Sequence, residues 1–383
     1  MILPRPRIQI SIVRLVISLL LLGPMLLTSS ASGIVAQSDA TPAALSCSPP
    51  AAASTGGAAS GEVATPIAAV PADAIQVTMG YVPVSIFAPV FVAKEKGYFA
   101  EAGLDVTLEA LPGGSDMVVL TATGEFDAGI GGAGPAFWNG MSRGLPLRVI
   151  APGHGEGDPV ATPLMISRQS CESGAIASVA DLRGKKVAVN ARGATEFWLS
   201  RALAIGGLTL DEIELQTLAF PDAVTALASG TIDASMVGEP LATKAEQDGI
   251  AVRLLTSFDV QAVQPTLIYG NTEWLDANPE AATGLVTGYL RAARDLTGDG
   301  FTDPANLAII EQYTGVPAVL VAAAVQPVYA VDGRIDTEGL NMLQRFFRER
   351  EQLDYATNLD AADFVDTQYV DAALATLGPA EEK

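Results

Sequence analysis

Residues 116–132 read DMVVLTATGEFDAGIGG, and residues 222–238 read DAVTALASGTIDASMVG. The two segments align without a gap at an offset of 106 positions, with seven identities in seventeen positions. The identities include three pairs of turn-forming and acidic residues: Asp116 and Asp222, Gly124 and Gly230, Asp127 and Asp233. This repetition indicates two lobes built on one plan, and chance similarity between two α/β segments is the alternative.

The surrounding sequence alternates short apolar strands with amphipathic helices from about Ile75, which is typical of α/β architecture. We predict a strand around residues 77–79 and a helix over residues 87–102. Gly103 can adopt the left-handed conformation that closes a helix, so the helix should end there. Residues 104–109 alternate apolar and polar side chains, which predicts a strand at the edge of a sheet.

A second strand and helix, at residues 185–189 and 196–205, follow about a hundred positions later. Two lobes of this kind bring the ends of their strands, and the helices that follow, to face each other across a cleft. Glycine-rich or proline-containing helix starts occur at residues 113–115, 134–135, 193–195 and 221–222. Helix N-termini offer unpaired amides and a partial positive charge, so the cleft is predicted to bind a polar or anionic small molecule. The alternative is that these residues only form tight turns.

The chain has 383 residues, more than one hydrophobic core usually serves, so two domains are expected. Residues 1–36 run from basic to apolar to small, the order of a signal peptide. An uncleaved anchor, which needs about 20 apolar residues, is the alternative. Residues 37–73 contain few large apolar side chains and are predicted to be a flexible tether. The bulk of the chain is therefore expected to be exported, as a periplasmic protein or one tethered outside the membrane.

The net charge is −21, and it becomes −24 without residues 1–36, which carry three arginines and no acid. Such an acidic protein repels phosphate backbones, so we expect no nucleic-acid partner. Two cysteines are present, Cys47 and Cys171, and they can form one disulfide in an oxidising compartment. Because Cys47 lies in the predicted tether, we expect no structural role for it, and lipidation of Cys47 is the alternative.

Three segments carry a resemblance to a known family: GYVPVSIFAPVFVAKEKGYFAEAGLDV (80–106), SVADLRGKKVAVNARGATEFWLSRALAIGGL (178–208) and ALASGTIDASMVGEP (226–240). They resemble solute-binding proteins of ABC importers, in the group for sulfonate, nitrate, taurine and thiamine precursors, over about residues 76–274. The resemblance implies a type II periplasmic-binding-protein fold, an α/β fold of two Rossmann-like lobes joined by two crossovers. It also implies a monomer whose hinge closes on a small-molecule ligand, which an ABC permease with its cytoplasmic ATPase then accepts.

The resemblance places lobe 1 at residues 74–161 and 265–383 and lobe 2 at residues 162–264. We expect the crossovers near residues 162–168 and 264–269. The ligand-binding residues that it implies come from both lobes: Tyr81, Phe87, Gly113, Gly114, Ser115, Gly132, Ala133, Gly134, His154, Asn190, Ala194, Thr195, Phe220, Asp222 and Glu239.

Several of these residues can serve a structural role instead. The aromatic side chains of Tyr81, Phe87 and Phe220 can stack on a ligand or simply pack in the core. Asp222 stands where a helix N-cap belongs, and capping is its favoured role. Glu239 can recognise an amino or ring N–H group. With aromatic residues available and no arginine placed in the cleft, the sequence favours a neutral heterocycle over a bare anion.

Enzyme functions are weakly supported. The segment GIGGAG at residues 129–134 fits a dinucleotide fingerprint but follows only a short strand, so no cofactor is expected. His154 is the only histidine, which disfavours a metal site, and no G-x-S-x-G nucleophile motif occurs. We therefore expect no catalytic residues and no metal. A thiamine-pyrimidine synthase of the same fold is the alternative function, although the cysteine-rich motif of those enzymes is missing.

Overall fold

The computed structural model describes residues 45–48, 69–261 and 263–380. The predicted signal peptide lies outside the described residues, as does most of the predicted tether. None of the helices in the described part has both the length and the apolar character needed to cross a bilayer.

Twelve strands form in the described residues: β1 (Ile75–Tyr81), β2 (Leu104–Ala110), β3 (Ala128–Gly132), β4 (Leu147–Pro152), β5 (His154–Gly155), β6 (Leu164–Ser167), β7 (Lys186–Val189), β8 (Glu214–Thr217), β9 (Ala234–Met236), β10 (Ala251–Leu255), β11 (Thr266–Asn271) and β12 (Val328–Tyr329). Ten of them build two five-stranded sheets, and the remaining two, β5 and β12, pair with each other.

The two sheets share one topology. The first has the order β2-β1-β3-β11-β4, and the second, read from its matching edge, has the order β8-β7-β9-β6-β10. In each sheet three parallel strands are followed by an antiparallel strand, β11 or β6, which pairs with the third parallel strand and with the edge strand. The prediction of two lobes on one plan is therefore confirmed. We call the first sheet with its helices the first lobe and the second sheet with its helices the second lobe.

The repeated aspartates play the same part in both lobes. Oδ2 of Asp127 accepts a hydrogen bond from the backbone N–H of Thr78 in β1 at 2.8 Å. Oδ2 of Asp233 accepts one from the backbone N–H of Lys186 in β7 at 2.9 Å. Each carboxylate thus ties the residue before β3 or β9 to the neighbouring parallel strand. This shared role explains why the aspartate recurs in the repeat.

Fourteen α-helices lie in the described residues: α1 (Ala88–Glu95), α2 (Tyr98–Glu101), α3 (Gly114–Ala122), α4 (Pro135–Ser142), α5 (Arg168–Glu172), α6 (Ala194–Ile205), α7 (Phe220–Ser229), α8 (Leu241–Gln247), α9 (Thr272–Ala277), α10 (Pro279–Asp295), α11 (Pro304–Thr314), α12 (Ala318–Ala323), α13 (Thr337–Glu349) and α14 (Gln368–Leu377).

The predicted single helix over residues 87–102 is wrong. A 3-10 turn at Ser85–Phe87 precedes α1, and α1 and α2 are separated at Gly97, whose φ is 77°. A left-handed residue cannot continue a right-handed helix, so the chain breaks there. Both helices pack on α10, which preserves the apolar spacing across the break. The end at Gly103 and the edge position of β2 are confirmed.

The expected N-cap role of Asp222 is also wrong. Asp116 and Asp222 are the third residues of α3 and α7, so they are equivalent, but the N-cap residues are Gly113 and Ala219. Neither N-cap residue makes a side-chain capping hydrogen bond. A carboxylate in the first turn still interacts favourably with the helix dipole, which accounts for both aspartates.

The chain crosses between the lobes slightly earlier than expected. The first crossover joins β4 to β6, and the second joins β10 to β11. The segments expected to cross, 162–168 and 264–269, instead contain β6 and most of β11. Both strands are buried along their whole length, so an apolar run that resembles a connection is in fact interior sheet.

The C-terminal segment returns to the first lobe. Phe364 packs edge-on against Trp138 of α4, and the backbones of Val149 and Val365 form a β-bridge. Cys47 forms a disulfide with Cys171 of α5, with their Cα atoms 5.7 Å apart. The expectation that Cys47 has no structural role is therefore wrong, because the disulfide fixes a segment before the folded lobes to the second lobe.

Candidate functional site

A cavity of about 60 Å³ lies between the two lobes. One water molecule needs roughly 10–15 Å³, so this space suits a few waters or a small ligand. Residues from both lobes and from the first crossover line it, together with Thr266, the first residue of β11. The predicted ligand-binding residues found in the lining are Phe87, Gly114, Ser115, Gly132, Gly134, His154, Asn190, Ala194, Thr195 and Phe220.

Four helices begin at this cavity. In the first lobe, α3 and α4 start there with Gly113 and Gly134 as N-caps, and in the second lobe α6 and α7 start there with Gly193 and Ala219. Within the described residues, none of these four N-caps makes a side-chain capping bond. The amides of their first turns therefore remain available to a ligand, and the four dipoles direct partial positive charge at the same space.

Two buried ring nitrogens border the cavity without a hydrogen-bond partner in the described structure: Nε2 of His154 and Nε1 of Trp198. The two rings contact each other edge to face, with centroids 6.0 Å apart, and Phe87 packs edge-on against His154 at 6.3 Å. The indole N–H can only donate, so a ligand that accepts hydrogen bonds would satisfy it. Buried polar groups without partners are costly, which makes this pair a marker of the site.

Burial keeps His154 neutral. Removal of its ring from solvent lowers the pKa of His154 to about 3. Its Nδ1 lies 2.7 Å from Oγ1 of Thr266, and the same hydroxyl accepts the backbone N–H of His154 at 2.7 Å. Thr266, the first residue of β11, therefore holds the ring in place, and Nε2 stays directed away from this contact.

Arg192 and the neutral His154 are the ionisable residues among the cavity lining, and no carboxylate of the described chain is part of it. No arginine is among the residues that the sequence predicts for the cleft. Arg192 lies in the loop between β7 and α6, and its side chain is 45% exposed. Its Nη1 donates to Oε1 of Glu196 at 3.2 Å.

Five predicted residues do not line the cavity: Tyr81, Gly113, Ala133, Asp222 and Glu239. Tyr81 packs instead against the rings of Phe91 and Tyr313. Asp222 is exposed on α7, and Gly113 and Ala133 lie next to lining residues.

Glu239 has protein partners in place of a ligand. Its carboxylate accepts hydrogen bonds from Nη2 of Arg253 at 2.8 Å and from the backbone and hydroxyl of Thr243 at 3.0 and 3.1 Å. Its backbone carbonyl accepts the N–H and hydroxyl of Ser85, both at 2.9 Å. Glu239 thus links the second lobe to the first, and its carboxylate is occupied by protein partners.

Sequence reasoning missed other lining residues: Val82, Ile86, Val118, Gly131, Ala136, Phe137, Thr162, Ala191, Arg192, Gly193, Trp198 and Thr266. Trp198 was predictable as a lining residue, since it lies three and four positions after Thr195 and Ala194 and therefore on the same face of α6. Thr162 and Thr266 lie at the ends of the two crossovers, whose positions depend on how the lobes meet. The described residues contain no group of three or more His, Cys, Asp or Glu side chains suited to hold a metal ion.

A model of the NMT1-like family matches residues 71–312, more than half of the chain. The chain belongs to the NMT1-like family. The match covers both five-stranded sheets and every helix that begins at the cavity. The family prediction made from the sequence is confirmed.

Two curated relatives of this chain are the nitrate/nitrite binding protein NrtA of Nostoc sp. and the nitrate import ATP-binding protein NrtC of Synechococcus elongatus. NrtA is 25% identical over 232 residues, which are 56% of this chain and 52% of NrtA. NrtC is 29% identical over 272 residues, which are 65% of this chain and 38% of NrtC. The chain spans about half the length of the first relative and less of the second.

Solved structures show the same fold. The alkanesulfonate-binding protein SsuA of Xanthomonas axonopodis, bound to MOPS, has a TM-score of 0.63 at 20% identity, over 78% of this chain and all of SsuA. The periplasmic nitrate-binding protein NrtA of Synechocystis has a TM-score of 0.69 at 16% identity, over 80% and 90% of the two chains. The desulfurization enzyme DSZB has a TM-score of 0.55 at 18% identity, over 79% and 99%. The predicted periplasmic-binding-protein fold is confirmed.

Proposed function

We propose that this protein is the solute-binding component of an ABC importer and that it captures a small anion between its two lobes. The observation that carries the proposal is the convergence of four uncapped helix N-termini on one cavity that no carboxylate of the described residues lines. Such termini favour negative charge, and the indole N–H of Trp198 adds a further donor. An anion would accept hydrogen bonds from the helix N-termini and from this indole N–H.

The ligand we propose is an oxyanion of the size of nitrate or bicarbonate, or a short sulfonate. The cavity of about 60 Å³ supports a small molecule, and its lining includes one cationic residue, Arg192. Phe87, Trp198 and Phe220 give it apolar walls, which suit the flat face of an oxyanion or a short alkyl group. An arginine in the lining supports an anion over a neutral heterocycle.

The relatives support the wider assignment. NrtA is named as a nitrate/nitrite binding protein and NrtC as a nitrate import ATP-binding protein. By analogy, the partners of this chain are a membrane permease and its cytoplasmic ATPase, and the chain works outside the cytoplasmic membrane as a monomer. The fifteen residues predicted from the sequence remain proposals as ligand contacts, and those that line the cavity have the stronger support.

Binding without catalysis is the function we favour, although the fold likeness to DSZB keeps an enzyme as the second candidate. His154 stays neutral and its Nδ1 is engaged by Thr266, so it is a hydrogen-bonding group at neutral pH. The described residues that line the cavity include no carboxylate to act as a second acid or base.

A thermal-shift screen tests the proposal. The full chain is heated with nitrate, bicarbonate, methanesulfonate or a hydroxymethylpyrimidine, with chloride as the control anion. A ligand at 100 times its Kd adds about 2.7 kcal/mol to the free energy of unfolding. We expect at least one of the three anions to raise the Tm and to be recovered unchanged. A shift by the pyrimidine alone would refute the anion, and chemical turnover of any bound compound would refute binding without catalysis.

A further inference from the structure

Glu196 is a buried carboxylate just behind the cavity. It lies in the first turn of α6 and is 0% exposed. Its Oε1 accepts hydrogen bonds from Nη1 of Arg192 at 3.2 Å, Nε of Arg350 at 2.9 Å and Nε2 of Gln352 at 2.8 Å. Its Oε2 has no partner among the described residues. We call these four residues the Glu196 cluster.

The cluster joins the two lobes. Glu196 and Arg192 belong to the second lobe, whereas Arg350 and Gln352 follow α13 on the way back to the first sheet. The carbonyl of Gln352 accepts a hydrogen bond from Nδ2 of Asn139 in α4 at 2.9 Å. The backbone N–H of Asp354 donates to Oδ1 of the same asparagine at 3.0 Å. Arg350 and Gln352 are therefore carried by a segment fixed to the first lobe.

The cluster also lies where the lobes touch. Gly134, the N-cap of α4, faces the loop before α6 so closely that a Cβ atom there would lie 2.7 Å from the carbonyl oxygen of Arg192. Gly134 and Arg192 both line the cavity. The contact between the lobes, the cavity and the Glu196 cluster therefore all lie within about one turn of the N-terminus of α6.

The charges of the cluster are unequal. Two guanidinium groups surround the one buried carboxylate, and the second partner of Arg350 is Asp211 at 3.4 Å, whose side chain is 83% exposed. Arg192 makes one bond to Glu196 and is 45% exposed, whereas Arg350 is only 21% exposed. Arg192 is therefore the more exposed of the two arginines, and Arg350 neutralises Glu196 from the other lobe. A buried carboxylate without a cation would be strongly destabilising, so Glu196 depends on these arginines.

We propose that Glu196 is a positioning residue that couples anion binding to closure of the lobes. It receives Arg350 and Gln352 from the first lobe only when the lobes are closed, and it holds Arg192 beside the cavity. Closure thus completes the partners of Glu196 and places Arg192 at the ligand. This inference rests on the proposed function, since it assumes that the lobes open and close around an anion.

The test compares R350Q with R183Q, a matched control whose arginine pairs with Glu212 on the exposed surface of the second lobe. The dissociation rate of nitrate, bicarbonate or methanesulfonate, whichever raises the wild-type Tm most, is measured by stopped-flow tryptophan fluorescence. We expect R350Q to raise the dissociation rate by about tenfold or more and to leave the association rate nearly unchanged. R183Q should match the wild type, and R350K should recover part of the loss.

A double-mutant cycle separates coupling from general damage. If Arg350 acts through Glu196, the double variant E196Q/R350Q should lose no more than the worse single variant. Additive losses would overturn the proposal, because they would mean that the two residues act separately.

A readout without ligand keeps the inference distinct from the proposed function. Spin labels at V119C on α3 and I205C on α6 report the distance between the lobes, since these side chains are 56% and 57% exposed. We expect R350Q to shift the distances towards longer values and R183Q to leave them unchanged. If no anion binds the wild type, the proposed function fails. The distances still show whether the Glu196 cluster holds the lobes together. Identical distances and rates in R350Q and R183Q would overturn the inference.

Discussion

Glu156 shows how a single buried group makes stability depend on pH. It lies in the first crossover, 8% exposed, and its Oε2 accepts the backbone N–H of Ala161 at 2.5 Å. Burial raises the pKa of Glu156 from 4.5 to about 7, although hydrogen bonds from Thr162 and Ala161 oppose the shift. The folded protein therefore prefers the neutral acid.

The sign of the effect follows from that shift. Below pH 4.5 the carboxyl is protonated in both states, and its contribution to stability is fully present. Between pH 4.5 and about 7 the unfolded chain releases this proton first, so the free energy of unfolding falls as pH rises, by about 3 kcal/mol. His154, whose folded pKa is lowered, has the opposite sign below pH 6.5, so only a difference between variants isolates Glu156.

We predict that E156Q gains stability relative to the wild type as pH rises from 5 to 7.5. The amide keeps the shape of the side chain and removes the ionisation. Urea unfolding at several pH values measures the difference, with E125Q as the control because Glu125 is exposed. A constant difference between E156Q and the wild type over this range would contradict the prediction.

Trp198 is the second residue whose role can be tested alone. W198F removes the unpaired indole N–H at the cavity and keeps an aromatic ring. Hydrogen bonds to charged groups contribute about 1.5–3 kcal/mol, so we predict a loss of affinity of about tenfold to a hundredfold for the anion that the screen identifies. Calorimetric titration gives the affinity.

The control is W138F. Trp138 is also buried, but its Nε1 donates to the carbonyl of Ala133 at 2.7 Å and it does not line the cavity. This variant should lower the stability of the first lobe and leave the affinity within about twofold, because a lost neutral hydrogen bond contributes only about 1 kcal/mol to folding. Equal losses of affinity in both variants would mean that Trp198 acts only through packing.

At the scale of elements, the first turns of α3, α4, α6 and α7 make the site, and the approach of α4 to the loop before α6 limits how far the lobes can close. G134A tests this approach, since its Cβ would lie 2.7 Å from the carbonyl oxygen of Arg192. The φ of Gly134 is −89°, which alanine adopts without strain. Overpacking of this kind costs about 1–3 kcal/mol, so we predict a comparable loss of binding energy.

G113A is the matched control, because a Cβ at Gly113 would meet nothing closer than the carbonyl oxygen of Asn190 at 3.8 Å. Both glycines are N-caps of first-lobe helices. Calorimetry should show weakened binding for G134A and near wild-type binding for G113A. Weakened binding in both, or in neither, would show that closure does not depend on the contact at Gly134.

Element boundaries also show what the sequence could and could not predict. The repeat predicted two equivalent helix-strand units, α3 with β3 and α7 with β9. Each unit has the same glycine and aspartate in the turn between its helix and its strand. The alternation of residues 104–109 identified an edge strand, since one face of such a strand meets solvent. The break at Gly97 was missed because α1 and α2 pack on the same helix, which keeps one helical spacing in the sequence.

The crossovers and part of the site were less predictable. Buried antiparallel strands such as β6 and β11 lack a two-residue period, so their sequences resemble connections. Arg192 lines the cavity because the two lobes meet at its carbonyl group. The carboxylate of Glu239 instead accepts a hydrogen bond from Arg253, which lies on β10. These arrangements depend on tertiary contacts that no local pattern records.

At the scale of the whole molecule, the disulfide adds a link that the repeat does not contain. Cys47 and Cys171 are 124 positions apart, and the bond joins a segment before the first lobe to α5 of the second. Constraining so long a loop in the unfolded chain stabilises the folded protein by about 2–5 kcal/mol.

We predict that the double variant C47S/C171S lowers the free energy of unfolding by about 2–5 kcal/mol. The wild type should lose the same amount when a reductant is added, and the double variant should not respond to it. Urea titrations with and without reductant measure both effects. A wild type that is insensitive to reductant, with its thiols shown to be free, would contradict the pairing.

The central claim is that a ligand sits between the two matching lobes and contacts helix N-termini from both. A crystal structure of the full chain with the anion that gives the largest thermal shift tests this most directly. We predict electron density for the anion in the cavity, within hydrogen-bond distance of Nε1 of Trp198 and of first-turn amides from both lobes. Density for the anion at any other place on the protein, with this cavity filled only by water, would contradict the account.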